Sequence, residues 1–189
     1  MGALTFAHAQ TTEVAGVKYE NSLQMANTPL VLNGAGVRYK AVFKVYAAGL
    51  YMTRKASTTE AVLATPGPKR IHIVMLRDIN GSELGKLFTR GMQDNAPRDE
   101  FSKSIPGTLK MSDIFFTKKK LSAGETFSLD WVPGVGTSIL INGKATTDPI
   151  PEPEFFSALM KIWLGQSPAD SMLKDALLGK PPSTREHNN

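Results

Sequence analysis

Arg38 stands directly after the segment NGAGV (residues 33–37) and ahead of the apolar, strand-like stretch YKAVFKVYAAGLY (residues 39–51). A guanidinium keeps its charge at any working pH, and burying it without a partner costs several kcal/mol or more. If a strand carries this side chain inward, it must therefore meet an anion or a set of carbonyl oxygens. The alternative is that Arg38 points to solvent or pairs with a carboxylate of the protein itself.

The other reactive residue types exclude several kinds of site. The chain has no cysteine, which excludes a disulfide, a thiolate metal site and a thiol nucleophile. It has three histidines, and two of them, His8 and His187, fall in segments predicted to be removed or disordered. His72 falls inside a predicted strand, where a hydrogen-bonded structural role is favoured over catalysis. A single histidine cannot build a multi-histidine centre, so no metal site is predicted.

The sequence also disfavours two further kinds of site. No G-x-S-x-G nucleophile elbow is present, which disfavours a serine hydrolase. Gly34-Ala35-Gly36, which we predict to form a turn, begins like a dinucleotide-binding loop. Strand-like residues follow it instead of a helix, so no helix N-terminus is available to hold a phosphate. We therefore predict no cofactor.

The basic charge of the chain does not predict a nucleic-acid partner. The net charge is +5 and the pI is about 9.4, but the 22 lysines and arginines are scattered. The one tight run, Lys118-Lys119-Lys120, stands beside the turn LSAGE and favours a solvated bend. No stretch approaches the roughly 18 apolar residues of a membrane span, so the protein is not expected to cross a membrane.

Length and composition predict one domain. A chain of 189 residues, 41% of them hydrophobic, can bury one sizeable core. The sequence MGALTFAHA, residues 1–9, ends in an A-x-A pattern, which we interpret as the remnant of an export signal rather than an ordinary N-terminus. The expected organisation is this remnant, a domain over residues 10–179 and a flexible tail over residues 180–189. We expect a monomer that is periplasmic or secreted.

The first half of the chain predicts strands followed by helices. VAGVKY, PLVLNG and VRYKAVFKVYAAGLYM are strand candidates, TTEAVLATPGPKR allows only a short helix before its first proline, and RIHIVML (residues 70–76) predicts a central strand. An amphipathic helix is predicted from an N-cap at Ser82 to just before Pro97. A second helical segment, residues 98–117, is expected to break near Pro106, which lacks the N–H of a helix interior.

The second half repeats this order. TFSLDWV, TSILIN and KATT predict a three-stranded meander, because Asn142-Gly143 between apolar runs is a strong hairpin signal. PEFFSALMKIWLG predicts a helix, and a last helix is expected with Ser167 as N-cap, Pro168 at its first position and Gly179 just past its end. Strands, helices, strands and helices joined by hairpins indicate an α+β fold, an antiparallel sheet with helices mainly on one face.

Several of these segments resemble the chalcone isomerase-like family, particularly its bacterial exported members. The segments are LNGAGVR followed by VYAAGLY, LRDI leading into an amphipathic helix, and DSMLKDALLG near the end. Plant chalcone isomerases carry Gly-Gly-Ala-Gly-x-Arg and then Thr-Ala-x-Gly-Val-Tyr. The resemblance therefore implies the chalcone isomerase-like fold and makes Arg38 the arginine that binds the substrate's oxygen anion at the edge of the cleft.

The departures from the plant pattern favour binding over catalysis. Tyr46 replaces the cleft threonine, and the family's cleft tyrosine, asparagine and lysine fall near Phe101, Thr108 and Met92. An arginine with a tyrosine at the Tyr46 position resembles the non-catalytic, fatty-acid-binding members of the fold, in which the two hold a carboxylate. On one straight strand, residues eight apart would stand roughly 26 Å apart. Arg38 and Tyr46 can therefore share a ligand only if the chain folds into a hairpin near Val42.

Three functions stay open at this point. The leading hypothesis is a non-catalytic protein that binds an apolar small carboxylate such as a fatty acid with Arg38 and Tyr46. The first alternative is a chalcone–flavanone isomerase type of enzyme, an intramolecular lyase in which Arg38 steers a phenolate onto an enone by oxa-Michael addition. The second alternative is a cell-envelope interaction module whose cavity is filled by its own side chains.

Overall fold

The computed structural model describes residues 10–181, which form eleven strands and five helices. The strands are β1 (Thr11–Val14), β2 (Val17–Glu20), β3 (Ser22–Met25), β4 (Thr28–Lys40), β5 (Phe43–Met52), β6 (Lys69–Met75), β7 (Ile79–Asn80), β8 (Lys120–Leu121), β9 (Thr126–Val132), β10 (Gly136–Ile141) and β11 (Lys144–Ala145). The helices are α1 (Thr59–Ala64), α2 (Gly81–Asn95), α3 (Arg98–Lys118), α4 (Pro153–Leu164) and α5 (Ser171–Leu177). The predicted export-signal remnant (residues 1–9), His187 and most of the predicted tail lie outside the described residues.

Seven strands form one antiparallel sheet in the order β11-β10-β9-β6-β5-β4-β3. β6 lies in the middle of this order, as the sequence predicted. The predicted meander forms β9 to β11, and Asn142 and Gly143 form its second turn with φ of 50° and 80°. Left-handed φ at both central residues is what a tight hairpin turn of this kind requires.

The two faces of the sheet are covered differently. Alternate residues of β6 point to opposite faces, so Ile71 and Ile73 join the larger core cluster while Arg70 and His72 point away from it. Most of α4 is buried in the larger cluster, which also includes residues of α2 and α3. The opposite face carries a smaller cluster that includes Tyr19 of β2. The predicted arrangement, an antiparallel sheet with helices mainly on one face, is confirmed.

β4 and β5 form the hairpin on which the predicted site depends. Lys40 pairs with Phe43, so the turn consists of Ala41 and Val42, and Arg38 lies directly opposite Tyr46. Ala41 takes a φ of 53°, a left-handed value that glycine or asparagine adopts more readily. The expected hairpin near Val42 is therefore confirmed, although the turn contains none of the usual turn residues.

Gly34-Ala35-Gly36 is not the turn that the sequence predicted, because these residues continue β4. Their role is to let α5 approach the strand. A Cβ at Gly34 would stand 1.9 Å from the Ala176 carbonyl oxygen, and a Cβ at Gly36 would stand 2.7 Å from the Ala176 Cβ. The glycines are thus needed for close packing and not for their backbone conformation.

The predicted break at Pro106 was wrong, because α3 runs without interruption from Arg98 to Lys118. Pro106 is exposed, so the carbonyl that lacks its usual donor can be solvated instead. Packing on the other side holds the helix together. A Cβ at Gly107 would stand only 2.7 Å from the Phe155 ring, and Thr108 is buried beside it.

Two predicted helix caps were also wrong. Asn80, not Ser82, caps α2, since its Oδ1 accepts from the amides of Ser82 and Glu83 at 2.9 and 3.3 Å. Asp170, not Ser167, caps α5. The Ser167 amide instead donates to Asn95 Oδ1 at 2.7 Å, and the segment between α4 and α5 bends rather than forming a helix. In each case a side chain with a better-placed acceptor moved the helix start.

VAGVKY is not one strand. Ala15 and Gly16 take φ of 48° and 78° and form a two-residue turn between β1 and β2, and the sequence prediction missed this hairpin. Within residues 10–181, no helix combines the length and hydrophobicity needed to cross a bilayer.

Candidate functional site

A cleft of about 210 Å³ lies where the β4–β5 hairpin meets α2, α4 and the segment before α5. Most of its walls are apolar and come from Val45, Ile79, Leu84, Leu87, Phe88 and Ile162. Arg38 and Tyr46 line it together with this apolar surface. The structure thus brings both residues of the predicted site to a single cavity.

Arg38 is half-buried at the cleft and has no carboxylate partner among residues 10–181. Its Nη1 donates to the carbonyl oxygen of Tyr39. Asp170, an acid of the adjoining segment, forms no ion pair with Arg38; its Oδ2 accepts from the Tyr39 amide at 2.9 Å, and its Oδ1 accepts from the Met172 amide at 2.8 Å. The guanidinium therefore keeps N–H donors that have no carboxylate partner within residues 10–181.

Tyr46 is buried, and its hydroxyl oxygen accepts a hydrogen bond from Trp163 Nε1 at 2.8 Å. No acceptor for the proton of this hydroxyl is found among residues 10–181. Burial raises the pKa of Tyr46 to about 12, against the lowering effects of the Trp163 bond and the Arg38 charge, while Asp170 adds to the rise. Tyr46 is thus a neutral phenol at ordinary pH, with one O–H left to donate.

The sheet explains why the two side chains meet. Arg38 and Tyr46 are paired across neighbouring antiparallel strands, so both side chains point to the helix-covered face. Trp163 approaches the Tyr46 hydroxyl from α4, which packs over this face. The strand pairing sets the separation of the two side chains, and the tryptophan fixes the position of the phenol.

Charged residues of both signs line the outer part of the cleft. Lys40 and Arg90 are the cations there besides Arg38, and Glu83 and Asp94 are the acids. All four are exposed, so water screens their charges strongly. The inner part differs, because there the walls are apolar and the polar groups are few. This gradient suits a ligand with one polar end and one apolar end.

The positions that the family resemblance matched to other catalytic groups do not reach the cleft. Met92 and Thr108 are buried against each other, with the hydroxyl 3.9 Å from the sulfur, and Thr108 also donates to the Ser104 carbonyl. Phe101 packs against the core. None of the three is among the residues that line the cleft. Within residues 10–181, no cluster of three or more potential metal ligands is present.

His72 lies on the opposite face of the sheet, where its Nδ1 is 2.6 Å from Ser128 Oγ. The Tyr19 hydroxyl donates to the His72 carbonyl oxygen at 3.2 Å. Burial lowers the pKa of His72, the nearby Arg70 charge lowers it further, and Asp130 opposes the shift. His72 therefore has the hydrogen-bonded environment that the sequence predicted for it.

Sequence reasoning missed the roles of Trp163 and Asp170 at this site. Trp163 lies in the predicted helix PEFFSALMKIWLG, and it contacts a tyrosine 117 positions earlier. Asp170 bonds an amide 131 positions earlier. No local sequence pattern indicates contacts between residues so far apart, although an aspartate two residues ahead of Met172 is a recognisable helix cap.

The fold is α+β, and its mostly apolar cleft is lined by an arginine and a tyrosine. A family model described as chalcone isomerase-like matches residues 11–179, so the chain belongs to the chalcone isomerase-like family. The crystal structure of a fatty-acid binding protein from Arabidopsis thaliana is similar to this chain, with a TM-score of 0.67 and 14% sequence identity. The match covers 89% of this chain and 96% of that one and confirms the shared fold. A comparison with curated protein sequences found no significant match.

Proposed function

We propose that this protein binds an apolar small carboxylate, such as a fatty acid, in the cleft headed by Arg38 and Tyr46. One observation carries the proposal. A guanidinium with no carboxylate partner within residues 10–181 and a phenol with no acceptor for its proton there line the same apolar cavity. A carboxylate has two oxygens that accept hydrogen bonds, so it can engage both donors at once.

The energies support a carboxylate over a neutral head group. Hydrogen bonds to a charged group contribute about 1.5–3 kcal/mol each, about twice the contribution of neutral ones. The acyl chain adds about 0.8 kcal/mol for each CH₂ that it buries. The similar Arabidopsis protein is described as a fatty-acid binding protein, which supports the same ligand class here.

The size of the cleft limits how much of the ligand it encloses. At about 210 Å³ it is smaller than most sites for drug-sized ligands, which have volumes of roughly 300–1,000 Å³. A carboxylate with a medium-length chain fits this volume better than a long-chain acid does. A longer chain would leave the cleft past Leu87, which lines it and is 42% exposed.

The test compares two ligands that differ only in the head group. Delipidated protein is titrated with dodecanoate and with dodecanol by calorimetry, below the concentration at which either aggregates. We expect the carboxylate to bind at least about tenfold more tightly, since only the acid uses the charge of Arg38. Equal affinities would contradict the assigned head-group site, and absence of binding by either would favour the ligand-free interaction module.

The same sample tests the enzyme alternative. In the presence of the protein, the absorbance of a 2′-hydroxychalcone should fall at the same rate as without protein. The reason is that the matched positions Met92, Thr108 and Phe101 do not line the cleft. An accelerated loss of absorbance that disappears in Arg38→Ala would establish the isomerase interpretation instead.

A further inference from the structure

The end of the β4–β5 hairpin presents apolar side chains to solvent. We call residues 39–44 the hairpin tip; it contains Tyr39, Val42 and Phe43, which are 37%, 83% and 54% exposed. Large apolar residues at the end of an exposed turn are not stabilised by burial in the core of their own domain. Neighbouring exposed apolar side chains of this kind indicate an interaction surface.

The charged side chains of the hairpin tip are cations, and an acid beside the tip, Asp170, accepts from the Tyr39 amide. Lys40 and Lys44 belong to the tip, and Arg77 places its guanidinium 4.3 Å from the centre of the Phe43 ring. The tip contains no acidic residue, and none of these three cations forms an ion pair within residues 10–181. Exposed aromatic and aliphatic side chains with cations beside them can bind an anionic bilayer, because the apolar groups insert and the cations contact the head groups.

The hairpin tip is continuous with the cleft. Lys40 belongs to the tip and also lines the cleft, and Arg38 precedes Tyr39 in the same strand. A bilayer that receives Val42 and Phe43 would therefore lie next to the opening of the cleft. Fatty acids partition into bilayers with their carboxylates at the level of the head groups, which is also the level at which Lys40 and Lys44 would stand.

We propose that the hairpin tip docks on anionic lipid bilayers and that the bound carboxylate passes directly between the bilayer and the cleft. The docking step stands on the tip alone, whereas the transfer step rests on the proposed function. Val42 and Phe43 enter the interfacial region, Tyr39 lies at the head groups, and the cations contact lipid phosphates. The partner is the anionic lipid surface itself.

Vesicle flotation of the full chain tests the docking step. Vesicles of phosphatidylglycerol should bind the protein, and vesicles of phosphatidylcholine should bind it much more weakly. Val42→Ser with Phe43→Ser should reduce binding more than about tenfold. Lys44→Gln and Arg77→Gln should each reduce it about fivefold. A rise from about 0.1 to about 1 M salt should weaken binding, because it shortens the Debye length from about 10 to about 3 Å.

A matched control uses two other exposed apolar residues. Leu109 and Phe116 on α3 are 62% and 69% exposed, but acids as well as lysines neighbour them in that helix. Leu109→Ser with Phe116→Ser should leave vesicle binding unchanged. An equal loss in this control, or wild-type binding that is insensitive to the tip substitutions, would overturn the proposal. A concentration-dependent dimer that the tip substitutions abolish would assign the tip to a second copy of the chain instead.

Titration with dodecanoate separates the two proposals. Val42 and Phe43 do not line the cleft, so their serine variants should bind dodecanoate in vesicle-free buffer as the wild type does. Loss of vesicle binding with retained dodecanoate binding supports the docking step. Vesicle binding without dodecanoate binding would leave docking in place and remove the carboxylate site and the transfer step. Transfer of a fluorescent fatty acid from vesicles should slow in the tip variant, and an unchanged rate would contradict direct transfer.

Discussion

The sheet carries two arginine–tyrosine pairs, one on each face, and they differ in what neutralises the arginine. Arg70 lies opposite Tyr51 just as Arg38 lies opposite Tyr46. Arg70 forms two hydrogen bonds of 2.7 Å with the carboxylate of Asp130. The Tyr51 hydroxyl donates to the Glu20 carbonyl oxygen at 2.7 Å. On this face both side chains have protein partners.

The pair on the helix-covered face is incomplete. Arg38 forms no ion pair within residues 10–181, and the Tyr46 hydroxyl accepts a hydrogen bond without donating one there. The same residue types in the same cross-strand geometry therefore have two uses. Where the protein supplies the anion, the pair stabilises the fold; where it does not, the pair keeps the hydrogen-bond donors that the proposed function assigns to an external carboxylate.

The largest expected effect comes from breaking the complete pair. Asp130→Asn removes the charge that Arg70 needs, and the two side chains are only 9% and 24% exposed. We expect a loss of about 3 kcal/mol in the free energy of unfolding, measured by urea denaturation, with unchanged dodecanoate affinity. As a control, Asp175→Asn removes a pair of 3.7 Å between half-exposed side chains, and should cost under about 1 kcal/mol. Equal losses would show that burial does not distinguish the two pairs.

The next effect comes from the incomplete pair. Arg38→Met should lower the affinity for dodecanoate about tenfold to a hundredfold and leave the free energy of unfolding unchanged or higher, because no protein ion pair is lost. Arg70→Met should do the reverse, with lower stability and unchanged affinity. Calorimetric titration and urea denaturation of both variants check this crossed pattern. A large loss of stability in Arg38→Met would make Arg38 a structural residue.

Substitution of the two tyrosines tests the same difference between the complete and the incomplete pair. Tyr46→Phe should weaken dodecanoate binding about threefold to tenfold and lower the free energy of unfolding by about 1 kcal/mol, because Trp163 Nε1 loses its acceptor. Tyr51→Phe should lower stability by a similar amount through its lost bond to Glu20 and leave binding unaltered. If Tyr46→Phe changed stability alone, the phenol would serve only to hold Trp163.

The smallest expected effect is a pH dependence of the free energy of unfolding, which comes from the face of the sheet that carries the complete pair. Burial lowers the pKa of His72 in the folded state, so the unfolded state, with a histidine pKa of about 6.5, binds the proton first. The stabilising contribution is therefore present above about pH 6.5 and is lost as the pH falls. Urea denaturation between pH 7.5 and 5.5 should show this loss, and His72→Gln, which can still bond Ser128, should reduce it. An unchanged pH slope in His72→Gln would assign the dependence to other groups.

Much of the framework could be predicted because it depends on local patterns. A mostly apolar run, typical of a central strand, predicted β6, and Asn142-Gly143 predicted the turn between β10 and β11. The Arg38–Tyr46 pairing followed from the requirement that two residues eight positions apart share a ligand. The caps at Asn80 and Asp170 were missed because neighbouring serines were equally plausible acceptors in the sequence.

Other features depend on contacts distant in sequence. Gly34 and Gly36 have the sequence pattern of a turn, and only the approach of Ala176 explains them as strand residues. Pro106 predicts a break on propensity, and burial on the opposite side of α3 overrides that tendency. The hydrogen bond from Trp163 to Tyr46 joins α4 to β5, and no periodicity in either element indicates it.

The bond from the Tyr39 amide to Asp170 has a consequence for biosynthesis, since it spans 131 positions. A ribosome adding about 5–20 residues per second needs roughly 7–26 s to make that span. Throughout this interval the nascent hairpin lacks Asp170, and during most of it Tyr46 also lacks the hydrogen bond from Trp163. Truncated chains that end before α4 would expose the apolar sheet surface that α4 covers, and such chains are expected to be substrates for chaperones and proteases.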